Sequence, residues 1–431
     1  MKTRREFLKE ASSGILTAAA APSFFLGCRG ETKVEKRYSR TIGSRKFSLF
    51  FGDLHGHTRL SPDAVLFIPD VDPEEHYRYG RDVAGLDFAA ITDHDAPYGL
   101  RYDVSKWEKV LELAKKYHEP GRFITFNAYE WTSGDGVRTL NEYLAGNKWI
   151  NYDKDKIENT LWGHRNVYFP GDDVPEHVFS VDDEASNTPE KLWPLLKSYG
   201  AISIPHHPLG GPVPPFKWDH YDQEVEPLVE IYSFHGNSEA DDAPLLIYNP
   251  YDNNYHNVQY ALGVKKFKFG IIASTDTHMG RAGYAGDDLS VEFMRPKFGG
   301  GPAAGGGLAA IYAEELTREK LWESLLKRRT FGTTGEKIVV DFGIGKAFMG
   351  EELSADSSQT IRAKAIGTGR LKKVEIIKNG VLLYSRPCME RSESFDYIDE
   401  PVTREWSYYY LRVTQEDNEM AWSSPIWVNY E

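Results

Sequence analysis

Phe47-Ser48-Leu49-Phe50-Phe51-Gly52-Asp53-Leu54-His55-Gly56-His57-Thr58 is the stretch from which this chain can be read. An apolar, aromatic run of β type ends in a polar cluster, and the i, i+2 spacing of its histidines puts both rings on one face of a strand. Six more runs of the same kind follow, at 86–92, 122–129, 165–169, 201–205, 228–233 and 269–274, and each adjoins a polar cluster of its own. These are Thr92-Asp93-His94-Asp95, Tyr129-Glu130-Trp131, Gly163-His164-Arg165-Asn166, Pro205-His206-His207-Pro208, His235 and Ser274-Thr275-Asp276-Thr277-His278. Eight of the 13 histidines fall at these seven places, which scatter does not produce.

Helical patterns at 72–83, 104–117, 188–198 and 317–327 alternate with the runs, with start signals at Ser105 and at Thr188-Pro189. Buried strands alternating with helices predict an α/β fold with parallel pairing, and seven of them predict a closed barrel, in which ligands gather at the carboxyl ends of the strands. The glycine-rich insertion at 284–307 reads either as a lid over the site or as a disordered surface loop. Beyond 336 the pattern becomes short strands at 337–342, 359–365, 373–379, 407–415 and 425–429, separated by turns such as Asn379-Gly380, which predicts a small β-sandwich.

With 41% hydrophobic and 27% charged residues among 431, the chain has material for a large core and does not have the composition of a disordered protein. Its net charge of −13 argues against nonspecific nucleic-acid binding, which needs a basic surface. Thr3-Arg4-Arg5-Glu6-Phe7-Leu8-Lys9, followed by an apolar stretch at 15–26, reads as a twin-arginine export signal. Phe25-Leu26-Gly27-Cys28 then offers either a lipoprotein cleavage site, with Cys28 carrying the lipid anchor, or ordinary signal cleavage. The expected location is periplasmic or at the cell surface. Removing residues 1–28 takes away four Lys/Arg and two Asp/Glu, so the charge falls from −13 to −15. Cys388 then has no intrachain partner, and no internal disulfide is expected. The expected division is signal 1–28, polar tether 29–45, barrel 46–335 and sandwich 336–431.

Imidazoles interleaved with carboxylates are the donors that zinc, manganese and iron bind. His55 with His57, and Asp276 with His278, stand at the first and last strands, which are neighbours in a closed barrel. Together with the lone Glu130 and three further histidine sites, they predict a metal centre.

These motifs resemble those of the PHP (polymerase and histidinol phosphatase) superfamily: His55-x-His57, Asp63, Thr92-Asp93-His94, Glu130, His164, Pro205-His206 and Asp276-x-His278. The likeness is greatest to a two-domain branch of unknown function that also carries Tyr-Glu-Trp, His-Arg-Asn-Val and a closing Ala-Trp-Ser-Ser-Pro-Ile-Trp-Val, here at 129–131, 164–167 and 421–428. It spans roughly residues 47–431. The resemblance implies a distorted seven-stranded (β/α)7 barrel holding two or three divalent ions. His55, His57, Glu130 and Asp276 would hold one ion; Glu130, as a bridge, would hold a second with His164 and His206; Asp63, His94 and His278 would hold a third. Many superfamily members have histidine where this chain has Asp63, an oxygen donor that would weaken the third ion or favour manganese over zinc. Adjacent strand residues face opposite ways, so His206 is taken as the ligand and His207 as an outer or substrate contact.

Such a centre activates water for attack on a phosphoryl or acyl carbon centre. Asp93, His207 and His235 are candidate acids for the leaving group. Arg165 and Arg281 are candidates to hold an anionic substrate or, equally, members of structural ion pairs. Glu230 is placed to orient a ligand or bind substrate, while Asp95, Glu239 and His256 suit solvated surface roles. The leading reading is a metal-dependent phosphoesterase acting outside the cytoplasm on a small or oligomeric phosphorylated substrate. Two alternatives are a metal hydrolase of a non-phosphate ester, amide or lactone, and a non-catalytic lipoprotein whose sandwich binds glycans. For the last, Trp406, Tyr408, Tyr409, Tyr410, Trp422 and Trp427 would stack sugars, although alternating aromatics are more often core.

Overall fold

The computed structural model describes residues 37–66, 68, 70–96, 98–133, 162–210, 215–247, 256–284, 306–400 and 405–431. The export signal, Cys28 and nearly all of the glycine-rich insertion lie outside the described residues. Residues 38–431 form one unit. Its first part carries β1 (Ser39–Ile42), β2 (Arg45–Asp53), β3 (Phe88–Ala90), β4 (Ile124–Trp131), β5 (Arg165–Phe169), β6 (Ile202–Pro205), β7 (Leu228–Ser233), β8 (Gly236–Asn237), β9 (Gly270–Ala273), β10 (Leu308–Ala313) and β11 (Thr330–Thr333). Its helices are α1 (Glu74–Asp82), α2 (Val104–Tyr117), α3 (Pro189–Ser198), α4 (Val258–Gly263) and α5 (Arg318–Leu326).

α1, α2, α3 and α5 form where the pattern predicts, while α4 was not foreseen. In α2, Trp107, Val110, Leu113, Ala114 and Tyr117 are buried at three- and four-residue spacing, which gives one apolar face. Its cap is Asp103, whose side chain accepts from the Ser105 backbone N–H, so the helix starts earlier than the Ser105 signal suggests. Thr317 caps α5 in the same way through the Lys320 N–H.

Alternate residues of the strands serve two cores. Phe50, Leu54, Phe88, Ala90, Ile124, Phe126, Ala128, Tyr168, Ile202, Ile204, Leu228 and Ile272 share a single apolar interior, drawn from β2 through β7 and β9. The opposite faces of β3, β4 and β5 pack Ala89, Tyr129, Trp131, Val167 and Phe169 against α1 and α2. All seven strands thus contribute to one apolar cluster, to which Ala309 and Ile311 of β10 and Leu321, Trp322 and Leu325 of α5 also belong. Hydrogen-bonded pairing runs in the order β2-β3-β4-β5-β6, β7 pairs with β9, and β6 lies beside β7. Past the ends of β2 and β9, a parallel bridge between Gly56 and Thr277 joins the first and last members.

The arrangement departs from an all-parallel (β/α)7 barrel. β2, β3 and β4 are parallel, as are β7 and β9, but β5 is antiparallel to both β4 and β6. This reversal has a functional consequence, because the start of β5, rather than its end, lies beside the carboxyl ends of β4 and β6. β10 and β11, short strands missing from the pattern above, extend the sheet antiparallel from β2. The expected tether at 29–45 also ends early, since β1 pairs with β2 from Ser39↔Ser48 to Ile42↔Arg45.

The C-terminal part is all β: β12 (Val339–Ile344), β13 (Ala347–Phe348), β14 (Glu352–Ala355), β15 (Gln359–Ile366), β16 (Leu371–Lys378), β17 (Val381–Pro387), β18 (Ser392–Asp399), β19 (Trp406–Gln415), β20 (Met420–Ser423) and β21 (Ile426–Tyr430). β20 pairs with β11, so one sheet runs from β6 through β2 and β10 into β19, β21 and β14. Tyr408, Tyr409, Tyr410, Trp422 and Trp427 are buried, with Tyr408 and Trp422 facing Tyr232, Ile271 and Ala273 of the first part. Tyr408, Tyr410, Trp422 and Trp427 share this cluster across the seam, whereas Tyr409 packs in the core on the other side of its strand; being buried, none of the five offers a stacking surface to a sugar. Glu239, read as a surface residue from sequence, is buried in the same seam and accepts from Trp422 Nε1 at 2.8 Å and Arg412 Nη1 at 3.0 Å.

Candidate metal centre

At the carboxyl ends of β2, β3, β4, β6 and β9 the chain brings together the buried side chains of His55, His57, Asp63, His94, Glu130, His164, His206, His207, Asp276 and His278. The reversed β5 explains how His164, which precedes its strand, reaches this end with the others. Glu130 stands at the centre. Its Oε2 lies 3.3 Å from His55 Nε2 and 3.4 Å from His57 Nε2, while its Oε1 lies 2.7 Å from His164 Nδ1, 3.3 Å from His206 Nε2 and 3.2 Å from His94 Nδ1. Asp276 Oδ1 is 3.2 Å from His55 Nε2 and 3.1 Å from His57 Nε2. Asp63 Oδ2 joins His94 Nε2 at 2.8 Å to His278 Nε2 at 2.9 Å.

Outer groups set the direction of these rings. His55 Nδ1 faces Glu230 Oε2 at 3.1 Å, His57 Nδ1 faces Ser61 Oγ at 3.3 Å, His94 Nδ1 faces Thr132 Oγ1 at 2.6 Å and His278 Nδ1 faces the Asp276 carbonyl at 3.0 Å. In all four rings Nε2 is thereby turned toward the carboxylates, the arrangement by which second partners orient metal-binding histidines. Asp53 anchors the segments beneath them: its carboxylate accepts from Thr275 N at 3.0 Å, Thr275 Oγ1 at 2.6 Å and Gly283 N at 2.7 Å, tying the end of β2 to the segment that carries Asp276.

The donor set fits divalent ions. Glu130 Oε1, His164 Nε2 and both His206 nitrogens are buried and make no hydrogen bond among the described residues, although His164 and His206 touch Glu130. Buried polar atoms rarely go unpaired, and close approach without hydrogen-bond geometry is what donors converging on a shared cation produce. Four groups of three residues each place donor atoms within 4.8 Å of one another: His55, His57 and Glu130; His55, His206 and Asp276; His57, His94 and His278; and His164, His206 and His207.

Charge balance points the same way. Burial, then His94 and His278 beside it, hold the His57 imidazole down at about 4, and burial holds His206 at about 3. Burial also opposes charge on His55 and His94. There Asp276 and Glu230 for His55, and Asp63 and Glu130 for His94, outweigh it and raise both rings well above the ordinary histidine range. Burial pushes Glu230 up to about 7.

Two candidates from sequence turn away from the centre. Asp93 is fully buried and accepts from Thr58 N at 2.6 Å and Thr58 Oγ1 at 2.7 Å; it fastens the turn after His57 and is not available as an acid to a substrate. Arg165, the first residue of β5, follows His164 and faces the other way. Its Nε donates to Glu226 Oε1 at 2.5 Å, and its other nitrogens donate to the carbonyls of Trp162, Gly163 and His220. It is a structural ion pair behind His164, not an anion clamp. Arg281 lies over the Tyr79 and Tyr284 rings. Asp95, expected at the surface, is buried and accepts from Thr132 N at 2.9 Å.

His207 does not follow strand alternation. β6 ends at Pro205, and His207 has φ 34°, which swings its ring to within 4.1 Å of His206 and 5.1 Å of His164, centroid to centroid. His235 Nε2 lies 3.2 Å from Asp276 Oδ2, and its side chain, 11% exposed, is slightly more open than the ligand candidates. Asn166 was missed by sequence reading. It pairs in register with Glu130, and both polar atoms of its side chain are buried without a partner among the described residues. Its signal was the i, i+2 spacing from His164.

A family model described as a protein of unknown function, DUF3604, matches residues 44–106, 99–209 and 254–375. An uncharacterized protein of Chlamydia pneumoniae is 29% identical over 409 residues, which is 89% of this chain and 57% of that protein. One from Chlamydia trachomatis serovar D is 25% identical over 403 residues, 88% of this chain and 57% of its own length. The chain thus spans somewhat over half the length of these relatives. Among solved structures, a two-domain protein containing a predicted PHP-like metal-dependent phosphoesterase from Bacteroides vulgatus is similar with a TM-score of 0.44 at 13% identity, over 92% of this chain and 100% of that one. His55, His57, Asp63, His94, Glu130, His164, His206, Asp276 and His278 all fall within the matched segments, and the chain belongs to the DUF3604 family.

Proposed function

We propose that this chain is a metal-dependent hydrolase, a phosphoesterase of PHP type, whose seven-stranded ring is a distorted PHP barrel. The observation that carries the reading is the division of Glu130, with Oε2 toward His55 and His57 and Oε1 toward His164 and His206. Asp276 would complete the first ion's set, Glu130 would bridge to the second, and Asp63 with His94 and His278 would hold a third. When bound, such ions activate water and offset the charge of phosphoryl oxygens.

The residues of the chain do the rest. Glu230, Ser61 and Thr132 keep the Nε2 atoms of His55, His57 and His94 aimed inward. Asp53 holds the Asp276 segment in place. His235, at the more open side and beside Asp276, is placed to hand a proton to the departing oxygen. Export by the twin-arginine route, which carries folded proteins, agrees with loading metal before secretion, and Cys28 would then anchor the chain to the membrane. The substrate would be a small or oligomeric phosphate ester.

The test is to reconstitute the purified chain with manganese, zinc or iron and screen phosphomonoesters, phosphodiesters and carboxylic esters, with and without chelator. Phosphoester cleavage that chelator abolishes is expected. Cleavage of carboxylic esters alone would replace this reading with that of an acyl hydrolase.

A further inference from the structure

We infer that His207 is an additional ligand of the second ion, beside Glu130, His164 and His206. The inference rests on the polynuclear reading above and adds to it a residue that strand periodicity had placed on the outside.

Three observations converge. The ligand atoms of His164, His206 and His207 lie within 4.8 Å of one another, a span that an ion ~2.1 Å from each nitrogen can draw together. All three rings are buried, and that of His207 lies nearer to His206 and His164 than to His235, which is 5.5 Å away. The backbone is held in an unfavourable conformation at this one position of the segment. A residue before proline is driven toward extended geometry, yet His207 precedes Pro208 with φ 34°, short of the ordinary left-handed well.

A turn alone does not require histidine here. The Gly210 N–H donates to the His207 carbonyl at 2.7 Å, a backbone contact that glycine or asparagine at 207 would allow at least as well. Strain held at a residue whose side chain points into a donor cluster is characteristic of functional sites. With His207 the second ion has three imidazoles and one carboxylate oxygen. The first has two imidazoles and two carboxylates, so the nitrogen-rich second position would select a softer metal.

The experiment uses the full chain and its His207→Gly and His207→Asn variants, with metal content measured after dialysis and affinity measured by competition with a chelator. Glycine relaxes the backbone and asparagine tolerates it, so both should keep the wild-type circular dichroism and fold. The expected result is loss of one ion per chain, or at least a tenfold weaker affinity for one ion, with the other affinities unchanged. Wild-type metal content and affinities in both variants would overturn the inference, including the case in which only KM changes, which would make His207 a substrate contact. Fewer than two ions in the wild-type chain would overturn the proposed polynuclear centre and this inference with it.

Discussion

At the scale of single residues, the centre is built from groups that neutralise one another until an ion arrives. The carboxylate partners of His55 and His94 raise both rings well above the ordinary histidine range, whereas burial holds His57 and His206 low. Ligation requires neutral imidazole, so metal uptake should expel protons from His55 and His94. Because their pKa values are raised, protons compete with metal at these two rings, and metal affinity should fall as pH is lowered. Calorimetric titration in buffers of different ionisation enthalpy reads the proton count directly; uptake without proton release would contradict this charge balance. Arg165 offers a second test. It and Glu226 are both fully buried, so Arg165→Ala would leave an uncompensated carboxylate, and we expect a loss of about 3–5 kcal/mol in chemical denaturation. A loss under about 1 kcal/mol would mean that water or another cation reaches Glu226.

At the scale of elements, the site depends on how closely β2 and β3 approach. Gly52 pairs with Phe88, and a Cβ at Gly52 would fall 2.2 Å from Phe88 Cδ2 and 2.3 Å from the Phe88 carbonyl oxygen. Backbone cannot give way as a flexible side chain does, so Gly52→Ala should destabilise the chain by roughly 1–3 kcal/mol and lower metal content, since His55 lies just past the end of β2. Thermal unfolding within a degree or so of wild type would show that the pair can separate freely. The elements were largely legible in the sequence, because each ring strand is an apolar run ending in polar residues and each long helix carries an apolar stripe. The reversal of β5 was visible only indirectly, in that His164 precedes its strand while candidates such as His55, Glu130, His206 and Asp276 stand at or past the ends of theirs. β10 and β11 were missed because nothing in Leu308–Ala313 or Thr330–Thr333 carries chemistry, and their pairing depends on distant β2 and β20. Asp93 was misplaced, and Arg165 took the ion-pair reading of its two, for a related reason: sequence shows that a charged residue adjoins the site, but strand alternation and a partner such as Thr58 or Glu226 decide which way it faces.

At the scale of the whole molecule, the C-terminal β part is more than an appendage, because its β20 continues the sheet that holds β2 to β6 and its buried aromatics pack with β7 and β9. The acidic exterior read from composition surrounds a centre where divalent ions would reverse the sign, which is how a chain of net charge −13 would accept a phosphate ester. In the proposed centre one carboxylate, Glu130, serves two ions. Metal analysis of the dialysed full chain beside its Glu130→Ala variant decides this. At least two ions per wild-type chain are expected, with the loss of both Glu130-bound ions together in the variant, leaving at most the one held by Asp63, His94 and His278; a Glu130→Ala chain that keeps the wild-type complement would show that Glu130 bridges nothing.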